Sequence, residues 1–587
     1  MACYHSHCLL QPPRKKLLNS VDRCVDEALE GIVSSSGGLS LLKGHRVVVR
    51  ANREAVRGRV GLVSGGGSGH EPAHAGYIGC GMLSAAVAGG VFASPPPASV
   101  LAAILSLHDA GASGVLLIVK NYTGDRLNFG LAAEQARGYG VEVGMVIVAD
   151  DCAFDQPSKA GRRGLCGTVL VHKLAGALAE EGRPLDEIIS KVTEAVKGIG
   201  TLGVSLSPCS VPGSLPSFNL PSGEMELGLG IHGEPGIKRL KVASADEVVN
   251  SMIDHMTNPA SQSHLPLKSG DSVVLCVNNL GALSCLEMAV VTRAAVNCLE
   301  GRGVEVARVM SGSFMTSLEM AGVSLSLMRT NQDILRLFDA ETSAPAWPNR
   351  SIVRISGRCH TLDPPANHSE ETSQPEGPLS GVMKNALERI CSSLLQCQED
   401  LNSLDRASGD GDCGNTHAQA SRAIQEWLQS HVVPGCPGQL MSNLAELVQE
   451  RMGGSSGALY SLFLTAAAVP LRRNSDSSSW ADAMHDGTEA IKRYGGADLG
   501  DRTMLDALCP AVEELKRLAK APPGGHMAIL QAAVEKSEQG AKSTCDLIAR
   551  AGRASYIATE RVTLSDPGAV AIAVILRAVL EALKEQK

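Results

Sequence analysis

GRCHTLDPPANHSEETSQPEGPLSG, running from Gly357 to Gly381, separates two differently patterned halves of the chain and so decides the fold. Proline, serine, glutamate and asparagine dominate it, and it offers almost nothing to bury. Such a segment is a linker, and as flexible coil its roughly 24 residues span ~25–30 Å end to end. Upstream, short Val/Ile/Leu runs alternate with helical segments: RVVVR (Arg46 to Arg50), VGLVSGGG (Val60 to Gly67), GVLLIVK (Gly114 to Lys120), VEVGMVIVAD (Val141 to Asp150) and SVVLCVNN (Ser272 to Asn279). Near-continuous apolar strands followed by stretches such as LNFGLAAEQARGYG predict βαβ units, a largely parallel sheet and two α/β subdomains. Downstream, VMKNALERICSSLLQCQEDLNSL, AQASRAIQEWLQ, LMSNLAELVQERM, ALYSLFLTAAA, MAILQAAVEKSEQGAKSTCDLIARA and GAVAIAVILRAVLEALKEQ carry apolar residues at three- and four-residue steps. That half reads as all-α. Its last helix is announced by SDPGAV, with Asp566 as N-cap and Pro567 at the first helical position. The predicted organisation is an N-terminal extension (1–15), an α/β domain (16–356), the linker (357–381) and a helical domain (382–587).

Composition narrows the function. A chain of 587 residues is too long for one core. Its 44% hydrophobic and 19% charged residues exclude wholesale disorder. With 53 basic against 61 acidic residues, a net charge of −8 and 3% aromatics, it is no nucleic-acid protein working by bulk positive charge or base stacking. The 17 cysteines are scattered without a C-x-x-C pair, and Cys276, Cys285 and Cys298 sit in apolar runs. This fits free thiols in a reducing, cytosolic compartment. The first twenty residues form no secretory signal; the absence of acid before Asp22 leaves a transit peptide open. No uncharged apolar stretch is read as reaching the ~18 residues of a membrane span.

Several loops have the residue types chemistry needs. DRASGDGDCGNTH (Asp405 to His417) sets Asp405, Asp410 and Asp412 between two helices. Hard oxygen ligands on a glycine-bearing loop suit Mg²⁺ with positions left for phosphate oxygens, although a solvated acidic turn has the same composition. Gly414-Asn415-Thr416 opens a helix whose amides favour an anion. GGSSGALY (Gly453 to Tyr460) is a glycine-rich helix entry, and GRASY followed by SDPG supplies Arg553 and another helix start. None has the G-x-x-x-x-G-K-[ST] form. In the first half, SGGGSGHEPAH (Ser64 to His74) follows a predicted strand and ends near His70, which reads equally as a ligand contact or a histidine in a tight turn. KNYTGDRLNFG (Lys120 to Gly130) starts where open parallel sheets place ligands; Lys120 and Asp125 read as ligand contacts or as a helix-entry ion pair. LGLGIHGEPG (Leu227 to Gly236) exposes His232 between glycines, with little packing to justify a histidine there.

SGGGSGHEPAH, KNYTGDRLNFG, GLGIHGEPG, DRASGDGDCG, GGSSGALY, GDRTMLD, GRASY and DPGA, in this order, resemble the single-chain, ATP-dependent dihydroxyacetone kinases from about Lys16 to Ala582. Length and linker placement resemble the family's animal members most. The resemblance implies an α/β dihydroxyacetone-binding domain and an all-helical, barrel- or bundle-like nucleotide-binding domain. It implies that His232 attacks the ketone of dihydroxyacetone and holds it as a hemiaminal, which excludes glycerol. Gly67, Ser68, Gly69, His70, Lys120 and Asp125 would surround the triose, with Asp125 and His70 as acceptors of the hydroxyl proton. Asp405, Asp410 and Asp412 would hold Mg²⁺ on ATP, the co-substrate. Cys413, Gly414, Asn415, Thr416, Ser455, Ser456, Thr503, Met504, Arg553, Asp566, Pro567 and Gly568 would line the nucleotide pocket. The expected substrates are dihydroxyacetone and D-glyceraldehyde, and the animal relatives also split FAD into AMP and riboflavin cyclic phosphate, for which Mn²⁺ or another divalent ion is expected. A homodimer is implied, with neither nucleic acid nor membrane as partner. The alternative is a triose-sensing or phosphoprotein-partnered module without ATP turnover.

Overall fold

The computed structural model describes residues 15–216, 218–348, 352–358, 361–364, 375–522, 524–557 and 563–585. The chain forms two compact units, Met1–Asp363 and Pro364–Lys587. Residues 1–14 and the middle of the stretch read as linker lie outside the described residues. The helical unit's first helix starts at Ser380, inside that stretch, where the Gly377 N–H bonds to Ser380 Oγ at 3.0 Å.

The first unit holds two six-stranded sheets. Strands β1 (Leu39–Leu41), β2 (Val47–Arg50), β3 (Val60–Ser68), β4 (Ala85–Val91), β5 (Gly114–Lys120) and β6 (Val143–Val148) form one, in the order β1-β2-β4-β3-β5-β6. Strands β4, β3, β5 and β6 run parallel, as the sequence predicts. The second sheet has the order β11-β10-β12-β7-β8-β9, built from β7 (Ile199–Ser205), β8 (Glu224–Leu227), β9 (Lys238–Lys241), β10 (Ser272–Asn279), β11 (Glu305–Gly312) and β12 (Gly322–Arg329). Here only β10 and β11 pair in parallel, which corrects the expectation of a largely parallel arrangement. Apolar residues on both faces report that a strand is covered twice; they do not report its direction.

Helices α1 (Cys24–Ser34), α2 (Pro97–Asp109), α3 (Thr123–Gly138), α4 (Gly167–Glu180), α5 (Leu185–Lys197), α6 (Ala245–Thr257), α7 (Cys285–Gly301) and α8 (Gln332–Asp339) cover the sheets. Helix α4, GTVLVHKLAGALAE, is buried from Gly167 to Ala179 because it packs against strands of both sheets. Asp150 fixes its start: its carboxylate accepts the N–H groups of Leu165 (2.6 Å) and Gly167 (2.8 Å) and the Thr201 hydroxyl on β7 (2.6 Å).

The second unit is all helix: α9 (Ser380–Gln396), α10 (Gln398–Arg406), α11 (Cys413–Ser430), α12 (Pro437–Arg451), α13 (Gly454–Arg473), α14 (Ser477–Gly495), α15 (Leu505–Leu515), α16 (His526–Ser543) and α17 (Pro567–Glu585). From α11 onward each packs on the next, and α17 and α11 both pack on α9, so the helices close into a ring. Asp566 caps α17 as predicted, its Oδ1 accepting the Ala569 N–H at 2.8 Å. One sequence reading needs correction: Gly454–Arg473 is long and apolar enough to cross a membrane by length and composition. The small residues at its start disguised the run; in the structure it packs against α12 and α14. The described cysteines are free, and Cys285 is exposed, contrary to its reading as a small hydrophobe.

Candidate functional site

In the first unit, strand β3 runs through the glycines to Ser68, one residue past the apolar run Val60 to Gly67. There is no room for side chains: a Cβ on Gly65 would lie 2.2 Å from Val87 O, and one on Gly67 2.7 Å from Ala93 N. Gly69, at φ +102, packs under Phe92, whose Cε1 would be 2.8 Å from an added Cβ. The Ser68 hydroxyl is used on Gly89 O at 2.9 Å, so Gly67, Ser68 and Gly69 present backbone to the site.

His70 is completely buried beyond this run, its Nδ1 2.9 Å from Thr316 O. A carbonyl only accepts, so Nδ1 carries the ring proton and Nε2, buried without a protein partner, presents a lone pair. Burial, and then the neighbouring His232 and Lys120, push the His70 pKa well below its ordinary value.

His232 is not exposed; its side chain is 16% accessible. Three rings stand edge-on around it, Tyr122 at 4.5 Å, His70 at 4.8 Å and Phe92 at 5.4 Å. The packing that the glycine-flanked motif lacks is supplied by segments remote in sequence, and Phe92 reaches it from a left-handed backbone (φ 57). Glu234 holds the histidine twice, accepting its backbone N–H at 2.9 Å and lying 3.3 Å from Nδ1. Burial works to raise the Glu234 pKa, but these bonds hold it down to about 2. The carboxylate fixes the proton on Nδ1 and leaves the lone pair on Nε2.

Asp125, buried on the first turn of α3, accepts the Ser94 hydroxyl. Lys120, fully buried at the end of β5, makes no ion pair with it among the described residues; its Nζ lies 2.9 Å from His74 Nε2. Both head groups converge on Gly66, where an added Cβ would lie 2.5 Å from Lys120 Nζ and 3.5 Å from Asp125 Oδ2. The helix-entry ion pair is therefore set aside.

In the second unit, Asp405, Asp410 and Asp412 each bring a carboxylate oxygen within 4.8 Å of the others. Asp405 Oδ2 organises the turn by accepting the N–H groups of Asp412 (2.9 Å) and Cys413 (3.1 Å). Gly411 turns the loop at φ +80. Arg553 pairs with Asp410 and lowers its pKa, whereas burial and the Asp410 charge raise that of Asp412. Burial, then the adjacent aspartates, push the Cys413 thiol up to about 12. It stays protonated, so the ligand set is hard oxygen and fits Mg²⁺ better than a thiophilic ion.

Gly414 sits where a Cβ would be 1.8 Å from Gln398 O, which lets α11 start against α10. Asn415 Oδ1 is occupied by Gln398 (2.8 Å) and Asn402 (3.1 Å), and the Thr416 hydroxyl donates to Asp412 O at 3.0 Å. Met504 and Gly568 are in contact, an added Cβ lying 3.4 Å from Met504 Cβ, beside Asp566 and Pro567. Packing around Asp566 pushes its carboxyl up to about 6. Thr503 Oγ1 accepts the Leu505 N–H at 3.2 Å. Ser455 and Ser456 lie on the first turn of α13 after two left-handed glycines, and no hydrogen bond joins them to the aspartates among the described residues. The connection runs one turn on, where Tyr460 OH meets His417 Nε2 at 3.1 Å.

Sequence reasoning missed Glu234, Phe92, Tyr122, Ser94 and Thr316. It also missed Arg502, which is 1% exposed at φ 61 and, among the described residues, bonded through Nη2 alone, to Leu564 O at 2.6 Å. Glu234, Tyr122 and Arg502 lie inside quoted motifs and were the findable ones.

An imidazole boxed by aromatic rings on an α/β unit and a carboxylate cluster on a helical ring together match a known pair of domains. The Dak1 domain matches residues 30–346 and the DAK2 domain residues 407–581, and the chain belongs to the single-chain dihydroxyacetone kinase family. It is 55% identical to triokinase/FMN cyclase of Homo sapiens over 97% of this chain and 99% of that protein. It is 38% identical to dihydroxyacetone kinase of Citrobacter freundii over 96% and 98%. The crystal structure of that C. freundii kinase with AMP-PNP and Mg²⁺ superposes with a TM-score of 0.64 at 35% identity, covering 97% of this chain and 99% of that one.

Proposed function

We propose that this chain is an ATP-dependent kinase of dihydroxyacetone and D-glyceraldehyde that also splits FAD into AMP and riboflavin cyclic phosphate. The observation that carries the first activity is His232, caged by rings with Nδ1 held by Glu234 and no hydrogen bond at Nε2 among the described residues. Nε2 adds to the carbonyl carbon and the C–O π bond opens onto the oxygen; the ring, cationic beside the Glu234 carboxylate, gives up its Nδ1 proton to solvent as the oxygen takes one up, which leaves a neutral hemiaminal. Glycerol has no carbonyl and cannot be held this way. One of the two terminal hydroxyls then attacks the γ-phosphorus of ATP, ADP leaves, and Asp125 or the bare His70 Nε2 receives the hydroxyl proton. A Mg²⁺ held by Asp405, Asp410 and Asp412 would neutralise charge on the phosphate oxygens.

The relatives named triokinase/FMN cyclase support the second activity. FAD shares an ADP half with ATP, so this reading places it on the helical unit. There a ribityl hydroxyl attacks its own chain's phosphorus, the bond to the AMP phosphate oxygen breaks, and AMP leaves; Mn²⁺ is the ion we expect to serve best. We further propose a cytosolic homodimer, supported by the scattered free cysteines and by the family resemblance. The three converging aspartates favour turnover over a sensing module.

The test is ATP turnover with Mg²⁺ and either dihydroxyacetone or glycerol, together with intact-mass analysis. Turnover and a covalent adduct with dihydroxyacetone only are expected; equal turnover of glycerol, or no adduct, overturns the reading.

A further inference from the structure

Lys120 is the visible end of a longer buried chain. His74, on the loop after β3, receives it at Nε2 (2.9 Å), and His74 Nδ1 lies 3.0 Å from Nε2 of His172 in the middle of α4. Ser64 sets the direction. Its hydroxyl donates to Ile118 O at 2.7 Å, so towards His74 Nδ1, 3.4 Å away, it can only accept. His74 therefore carries its proton on Nδ1 and offers a bare Nε2 to the Lys120 ammonium. His172 accepts at Nε2 and holds its own proton on Nδ1, which is buried with no partner among the described residues. An apolar side chain would fill that place without an orphaned donor, so packing alone does not explain the histidine.

We propose that His74 and His172 are positioning residues for phosphoryl transfer to the triose, a one-way hydrogen-bond chain that keeps Lys120 charged and aimed at the substrate. The proposal rests on the kinase reading above. The other groups around the chain are few. Asp125 on α3 attracts the Lys120 charge, and His70 faces His74 from the same loop, with His232 beyond it. Tyr77 stands 6.2 Å from the His172 ring with its hydroxyl given to Phe314 O. Burial and the Lys120 charge keep both imidazoles neutral, His172 falling to about 3, so neither competes for the proton. Burial also lowers the Lys120 pKa, which makes the bond to His74 decisive for holding the ammonium form.

The experiment compares His74→Leu, His74→Gln and His172→Phe in the full chain. Readouts are kcat and KM for dihydroxyacetone across pH, intact mass for the adduct, and the thermal midpoint. In His74→Leu kcat should fall ~100-fold, and its alkaline limb should move at least about one pH unit lower, because the ammonium has lost its acceptor. In His74→Gln the amide oxygen can accept from Lys120 while its N–H donates to His172, so kcat should stay within ~10-fold of wild type. His172→Phe should shift the limb in the same direction by less. All three should keep the adduct, since His232 is outside the chain. Equal losses in the Leu and Gln variants, or an unmoved alkaline limb in folded His172→Phe, overturn the proposal. If His74→Leu does not fold, the limb in the other two decides. A wild-type chain inert towards triose fails the kinase reading instead.

Discussion

Gly66→Ala adds one methyl group where Lys120 and Asp125 converge. The new Cβ would stand 2.5 Å from Lys120 Nζ and 3.6 Å from its Cε, on a φ of +152 that alanine rarely adopts. Ordinary contact begins at 3.4 Å, so the ammonium must retreat by about 0.9 Å, the difference of the two distances. Lys120 is fully buried and bonded to His74, so it cannot retreat along a free path. A displacement of ~1 Å in a positioned group costs on the order of 100-fold in rate. Overpacking adds ~1–3 kcal/mol of lost stability. Gly90→Ala on β4 is the control, because its Cβ would meet only Ala93 Cβ at 3.7 Å. Coupled kinetics with dihydroxyacetone should give a ~100-fold lower kcat for Gly66→Ala and near wild-type values for Gly90→Ala, with the His232 adduct detectable in both. A folded Gly66→Ala chain with kcat within about threefold of wild type would refute the placement of Lys120 in the reaction.

His232→Ala should lose triose phosphorylation and the adduct yet keep FAD cleavage, because cyclisation needs no carbonyl nucleophile; chromatographic detection of AMP checks this, and loss of FAD cleavage in the folded variant contradicts it. Asp410→Asn should lower both activities at least ~100-fold by removing a hard ligand from the cluster, and an unchanged metal dependence would show the three aspartates to be only a turn. Glu234→Gln leaves His232 a weaker nucleophile and should slow adduct formation ~10–100-fold, which time-resolved intact mass reads; unaltered formation would mean that Glu234 only braces the loop. His70, His74 and His172 all titrate below their ordinary value in the folded chain, so between about 6.5 and those lower values the unfolded chain binds protons that the folded chain refuses. Stability should thus fall as pH drops below about 6.5, by ~1.4 kcal/mol per pH unit per histidine, and denaturant midpoints that do not fall on acidification would show these rings to be charged.

Much of the architecture was legible because it depends on local pattern. SVVLCVNN is strand β10 residue for residue, and the Asp566–Pro567 helix start is a cap formed within three residues. Strand direction in the second sheet was not legible, because it is set by how the connections cross and leaves no mark on an apolar run. The glycines at Gly65–Gly67 fall in both the strand run Val60 to Gly67 and the loop motif starting at Ser64; they are strand, and Val87 and Ala93 crowd them so that no side chain fits. His232 shows the same limit. Its motif names the residue, but the rings that cage it come from positions 70, 92 and 122, and no spacing rule connects them. Asp405, Asp410 and Asp412 were legible because one short loop holds all three.

The two imidazoles at the triose site are matched in state but not in surroundings, and that difference divides their work. Each has its proton held on Nδ1, one by the Thr316 carbonyl and the other beside the Glu234 carboxylate, so each presents a bare Nε2. Their ring centres are 4.8 Å apart, and a charge on either raises the cost of a charge on the other. Only the one facing a carboxylate can become cationic cheaply, since Glu234 compensates it and a neutral carbonyl does not. Nucleophilic attack makes the attacking ring transiently cationic, which favours His232 over His70 for the proposed adduct. His70 is completely buried and also feels the Lys120 charge. On the reading proposed above, it accepts the hydroxyl proton after the adduct has lost its Nδ1 proton and carries no charge. The charges around the two rings thus favour the proposed order, with the adduct formed first and phosphoryl transfer second.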